Sequence, residues 1–138
     1  MIKEFVEKWD KYKNDLEDYF KNNKQKEYDT YEAIVALLFE KIINRDVDYG
    51  EYDTENILVI DDGDWQGTQI FILHKNTYQP SIEEYVYTNT YYGSCSGCDT
   101  LQAIQDYNLD NFPDKEQVKD YMQLSLHLLQ RCKCMEDE

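Results

Sequence analysis

Two apolar rhythms follow one another along this chain, and together they admit one broad fold class. Ile2, Phe5, Val6, Trp9, Tyr12, Leu16, Tyr19 and Phe20 recur at three- and four-residue intervals with Lys and Glu between them. That is the spacing of an amphipathic helix of about five turns. The polar run Asn22-Asn23-Lys24-Gln25-Lys26 breaks it. Asp29 or Thr30 then offers a side-chain oxygen to the free amides of a second helix. In that helix Tyr31, Ile34, Val35, Leu38 and Ile42 form one face, and Ala36, Leu37, Phe39 and Ile43 make most of the remainder apolar. A helix apolar nearly all round belongs at the centre of a molecule.

Beyond residue 56 the rhythm shortens. Ile57-Leu58-Val59-Ile60 is continuously apolar, Asp61 to Gly67 has the aspartates and glycines of a turn, and Thr68 to His74 returns with Ile70, Phe71, Ile72 and Leu73. This predicts an antiparallel hairpin. Tyr85 to Tyr91 alternates, with Tyr85, Tyr87, Asn89 and Tyr91 on one face and Val86, Thr88 and Thr90 on the other, as a third strand would. A short helix is expected from about Asp99 to Tyr107. A last helix should begin at Pro113, place Val118, Tyr121, Met122, Leu126 and Leu129 inward and close at Cys132, leaving a frayed tail from Met135. The order helix, helix, three strands, helix, helix predicts an α+β fold, a small antiparallel sheet of about three strands flanked by N- and C-terminal helices. At 138 residues the chain reads as a single domain. Within it, 1–45 form a helical hairpin, 46–92 an acidic hairpin and sheet region, and 93–134 a cysteine loop with the C-terminal helices.

The net charge of −15 is concentrated in the middle: residues 46–114 hold fourteen acids against the single base Lys75. Such a field repels nucleic acid and anionic membrane and attracts basic protein surfaces or cations within about 10 Å. Direct nucleic-acid binding is therefore disfavoured. The plainer reading is that an acidic surface keeps the chain soluble. Asp46, Asp48, Glu51 and Asp53 suggest a calcium loop, but Gly50 falls at its fifth position instead of the sixth, so the EF-hand pattern fails. No phosphate loop, nucleophile elbow or His-Glu-x-x-His helix is present, and no enzyme is specified. With no long apolar run and no signal-peptide pattern at its start, the chain is expected to be cytoplasmic, without membrane contact. In that reducing setting its four cysteines argue for metal or free thiols over disulfides.

Cys95 and Cys98, spaced Cys-x-x-Cys beside Gly93 and Gly97, would present two thiolates to one ion, and Cys132 and Cys134 would complete a zinc tetrahedron if the last helix unwinds there. On an intact helix those two side chains point about 200° apart. Lys133 would offset part of the thiolate charge, and His74 or His127 could replace one sulfur. A redox reading starts from the strand, Cys-x-x-Cys, helix order, which lowers a thiol's pKa, but Asp99 next to it would oppose the shift. The third reading is that the cysteines are small buried hydrophobes.

At Trp65-Gln66-Gly67-Thr68-Gln69-Ile70-Phe71, Tyr91-Tyr92-Gly93-Ser94-Cys95-Ser96-Gly97-Cys98-Asp99-Thr100-Leu101-Gln102 and Val118-Lys119-Asp120-Tyr121-Met122, the chain resembles small uncharacterised proteins carried by phages and prophages of low-GC Gram-positive bacteria. The resemblance spans residues 57 to 131 and implies a phage accessory protein acting in the host cytoplasm; it transfers no site residue. Two functions fit. The first is an acidic binding protein that inhibits a host defence nuclease, of anti-CRISPR or antirestriction type, by mimicking nucleic acid on the nuclease's basic surface. Its partner-binding residues would be Asp46, Asp48, Tyr49, Glu51, Tyr52, Asp53, Glu55, Asp61, Asp62, Asp64, Glu83 and Glu84. The alternative is a zinc-stabilised or thiol-redox module built on Cys95, Cys98, Cys132 and Cys134, with an unknown small ligand or substrate.

Overall fold

A computed structural model describes residues 1–135. Helix α1 (Ile2–Asn22) buries Phe5, Trp9, Leu16 and Phe20 from its apolar stripe and leaves Ile2 and Val6 exposed. A single 3-10 turn, Gln25–Tyr28, leads to α2 (Tyr31–Leu38), where the Thr30 hydroxyl accepts from the Ala33 amide at 3.1 Å. The helix does not stop at Leu38 but widens into a π turn, Phe39–Ile43, closed by the Asn44 amide on the Phe39 carbonyl at 2.7 Å. As its all-apolar pattern implies, Ile34, Val35, Leu38, Phe39 and Ile42 are fully buried.

Strands β1 (Leu58–Asp61), β2 (Gly67–His74), β3 (Tyr85–Tyr92) and β4 (Lys133–Cys134) form one antiparallel sheet in that order. The expected alternation holds in β3: Val86, Thr88 and Thr90 are buried, together with Phe71 and Leu73 of β2. Between β3 and the last helix come α3 (Thr100–Gln105), capped by Asp99, and a loop. Helix α4 (Lys115–Gln130) then lies over the buried face of the sheet, where the Thr88 hydroxyl donates to the Leu128 carbonyl at 2.7 Å. Its cap is Asp114, which shares a reciprocal capping box with Gln117. Pro113 therefore precedes the helix instead of entering its first turn. On the opposite face Ile70, Ile72, Tyr85 and Tyr87 are half-buried, while Leu58, Ile60 and Tyr91 are exposed.

The sequence pattern missed β4, because two residues carry no detectable alternation. Its pairing of Cys134 with Val86 and Lys133 with Tyr87 ends α4 before Cys132 and ties the chain back to the start of β3. The frayed tail expected here lies, from residue 136 onward, outside the described residues.

The core centres on three rings. Phe20 and Tyr121 stack with centroids 5.2 Å apart, and Tyr28 meets both edge-on at 4.9 and 5.0 Å, arrangements that add to the area they bury. Beside them Gln25, fully buried, accepts from the Tyr121 hydroxyl at 2.6 Å and donates to the Asn108 carbonyl at 3.0 Å. Its backbone amide donates to the Asn111 carbonyl at 3.0 Å. A buried amide satisfied on each side stabilises the fold, whereas the same group unpaired would cost about 1–3 kcal/mol. No helix among the described residues is long and apolar enough to cross a membrane.

Candidate functional site

The acidic connection between α2 and β1 is fastened to the sheet by backbone hydrogen bonds. The π turn leaves Asn44 facing Tyr52. Its side-chain amide donates to the Tyr52 carbonyl at 2.9 Å and accepts from the Tyr52 amide at 2.8 Å. Tyr52 then bridges to Lys75, the Asp53 amide donates to the His74 carbonyl at 2.8 Å, and the Asn76 amide donates to the Glu51 carbonyl at 2.8 Å. Residues 51–53 thus run along the same edge of β2 that β1 occupies further on. As a consequence Glu51, Asp53, Glu55, Asp61, Asp62 and Asp64 follow one edge of the sheet, from beside Asn76 to beside Thr68, with Asp53 on the face of His74, 3.9 Å from its Nε2, and Asp61 on the face of Phe71. At a strand rise of about 3.4 Å that row is roughly 27 Å long.

Local hydrogen bonds hold three of these carboxylates in place. Asp53 accepts from the Asn56 side chain and from the Glu55 and Asn56 amides, which keep it below the usual carboxylate range. The Tyr92 hydroxyl, at 2.6 Å, does the same for Asp61, helped by the Gly63 amide at 3.0 Å. In return that carboxylate raises the Tyr92 hydroxyl to about 12. Asp62 accepts from the Thr68 amide at 2.7 Å and so closes the hairpin turn. Glu51, Glu55 and Asp64 are exposed, and among the described residues their side chains form no hydrogen bond or ion pair.

Three of the other expected contact residues, Asp46, Tyr52 and Glu84, have their side chains engaged elsewhere. Asp46 is taken up by the Tyr12 hydroxyl and by Lys11, the latter at 2.9 Å, and the hydroxyl is the larger cause of its lowered pKa. Asp48 and the exposed Tyr49 lie in the same connection. Tyr52 turns inward: its ring meets Phe39 edge-on at 5.4 Å and Phe5 at 6.5 Å, and burial pushes its hydroxyl up to about 12. Glu84 is bound to the Thr77 hydroxyl and to Ser81 at the turn before β3, with Glu83 exposed beside it. Composition could find the acids but not the groups that align them, Asn44, Asn76 and the Tyr92 hydroxyl. The one available signal was Asn44 directly after an apolar helix.

The four sulfurs do not converge. Cys134 pairs with Val86 near the start of β3, whereas Cys95 and Cys98 follow its far end, roughly 20 Å away along the strand. Cys132 is buried, donates to the Leu128 carbonyl at 3.5 Å, and is pushed up by burial to about 12. Among the described residues no group of three or more His, Cys, Asp or Glu side chains is gathered to hold a metal ion. Neither His74, on the Lys75 carbonyl, nor His127, in α4, stands in for a sulfur.

Cys95 and Cys98 do meet. Both are exposed, with their sulfurs 3.0 Å apart, and the Cys95 amide donates to the Cys98 sulfur at 3.3 Å. Hydrogen bonds from the Cys95 thiol and then from its amide hold Cys98 below the ordinary cysteine value. Asp99, expected to oppose that shift, has a buried carboxylate that points inward. It accepts from the Gly93 amide at 2.9 Å, the Tyr31 hydroxyl at 3.0 Å and the Gln102 amide at 2.8 Å. Gly93 is required at the loop's start: a Cβ there would lie 2.5 Å from the Cys98 carbonyl oxygen and 2.8 Å from its sulfur.

No family model, curated protein or solved structure matches the chain.

Proposed function

We propose that this is a phage-encoded acidic binding protein that inhibits a host defence nuclease by offering ordered carboxylates where the nuclease expects nucleic-acid phosphates. What supports the reading is the row along the sheet edge, Glu51, Asp53, Glu55, Asp61, Asp62 and Asp64. It sets five exposed carboxylates, with the mostly covered Asp53 among them, over a length in which one strand of B-form duplex presents about eight phosphates at its 3.4 Å rise. The row is fastened to β2, so little conformational freedom is lost when a basic channel closes on it. Ionisation at Asp53 and Asp61 is reinforced by the hydrogen bonds they accept.

The test uses Glu51→Gln, Glu55→Gln and Asp64→Asn together, since these three side chains hold nothing else in place. Candidate partners are nucleases whose channels are lined by Lys and Arg. The intact protein should bind one of them and block its cleavage. By analogy with proteins that make six or more phosphate contacts, affinity should fall on the order of 10³-fold between about 50 and 200 mM salt. The triple variant should bind at least tenfold more weakly at low salt while keeping its fold. Binding indifferent to salt, or unchanged in the triple variant, would refute mimicry.

A further inference from the structure

We infer that Cys95 and Cys98 form a thiol–disulfide exchange site whose co-substrate is a small neutral or cationic disulfide. The two thiols sit on an exposed loop with their sulfurs 3.0 Å apart, and the loop is set rigidly from beneath. Asp99 accepts from Gly93 at one end of the loop and caps α3 through Gln102 at the other. The Cys98 and Asp99 amides both donate to the Cys95 carbonyl, at 3.0 and 2.8 Å, so the cysteines share one turn of chain. Ser96 is tied to Tyr107 at 2.8 Å. This turn brings two reactive sulfurs to the surface within reach of each other, without asking the backbone to move far between reduced and oxidised forms.

Cys98 is the attacking sulfur, because the Cys95 amide points at it and stabilises negative charge there. Its thiolate attacks one sulfur of a disulfide RSSR′, forming a Cys98–SR mixed disulfide and expelling R′S⁻, which takes a proton from water. Cys95 then loses its proton to water and attacks the Cys98 sulfur, expelling RS⁻. The protein's two thiols are oxidised to one disulfide, and RSSR′ is reduced to RSH and R′SH, so the electron pair and both protons are accounted for.

Charge selects the co-substrate. The loop leaves β3 at the end where Gly67 pairs with Tyr92, the same end as the hairpin turn carrying Asp61, Asp62 and Asp64. The Tyr92 hydroxyl, one residue before the loop, is within hydrogen-bond distance of Asp61. Arg131, which shares a cleft with Tyr91 and Thr100, donates to the Asn89 carbonyl at 3.3 Å and offsets one of those charges. Anionic disulfides are repelled from such a surface and cationic ones attracted.

Cystamine, bis(2-hydroxyethyl) disulfide and glutathione disulfide serve as cationic, neutral and anionic probes for the reduced full chain, read by mass spectrometry after acid quench. The wild type should end with a Cys95–Cys98 disulfide and no retained adduct. Cys95→Ser should trap one cysteamine on Cys98, and Cys98→Ser should react more slowly. Cystamine should outpace glutathione disulfide by about tenfold at low ionic strength, with the gap closing in salt. Equal reaction of the two single variants, stable adducts on both cysteines of the wild type, or equal rates for the three probes at low salt would each overturn the inference. So would thiols blocked by stoichiometric zinc in protein purified without chelator. The readout is independent of nuclease binding, so either idea can fail without the other.

Discussion

Replacing Tyr31 with Phe removes one oxygen atom and should weaken the fold out of proportion to that change. The hydroxyl donates to Asp99 at 3.0 Å and accepts from the Leu101 amide at 3.1 Å, and all three residues are at most 6% exposed. Water cannot replace it there. A hydrogen bond to a charged acceptor contributes about 1.5–3 kcal/mol, and a buried first-turn amide left without a partner costs about 1–3 kcal/mol. Asp99 keeps two other donors, from Gly93 and Gln102, which moderates the loss. The expected destabilisation is therefore about 2–4 kcal/mol, or a fall in Tm of about 6–15 °C for a chain of this size. Urea unfolding of both proteins measures it, with Tyr78→Phe as the control, since Tyr78 is 89% exposed. Amide exchange should quicken at Leu101 and Gly93 first. A loss under about 0.5 kcal/mol, or exchange at these two amides unchanged, would refute the claim that this hydroxyl joins α2 to the cysteine loop.

Two further outcomes follow from the same contacts. Asp61 has its folded pKa depressed, chiefly by Tyr92, so its contribution to stability is full above the unfolded value near about 3.9 and is lost as pH falls through the lower folded value. Tyr92→Phe should accordingly lower Tm more at pH 6 than in strong acid, where only the hydroxyl's bond to the Gly63 carbonyl at 2.8 Å remains to be lost; a difference that is unchanged or grows there would contradict the assignment. Under native conditions an alkylating reagent should label Cys95 and Cys98 quickly and Cys132 only on unfolding, given its burial and raised thiol pKa. Peptide mapping that finds Cys132 modified in the native state would show the α4 end to be open.

How far the residues announced this arrangement depends on the range over which each signal acts. The Phe5, Trp9, Leu16 and Phe20 stripe and the alternation of Val86, Thr88 and Thr90 are local, and each recovered its element and its buried face. The α+β class followed. Signals that act across the chain were silent. Nothing near Cys134 indicates that it pairs with Val86, and without that register two cysteine pairs at opposite ends of β3 look like one tetrahedron. Tyr52 reads as a surface residue among acids until Phe5 and Phe39 are found around it. Asp99 reads from the sequence as a charge beside a thiolate, and only the fold shows burial and three donors making it the anchor of that loop. The acids themselves were plain from composition. Their alignment depends on Asn44 and on the main-chain pairing of residues 51–53 with β2, which hydrophobic periodicity does not encode.

Gln25 also bears on the order in which the molecule assembles. Its amide group and backbone are answered by Asn108, Asn111 and Tyr121, all more than eighty positions later in the chain. While the ribosome is still making the middle of the protein, the first two helices hold an unanswered polar group at their intended centre and cannot settle against each other in final form. Closure of that centre waits for the last helix, and contacts of such long sequence separation slow folding relative to local ones.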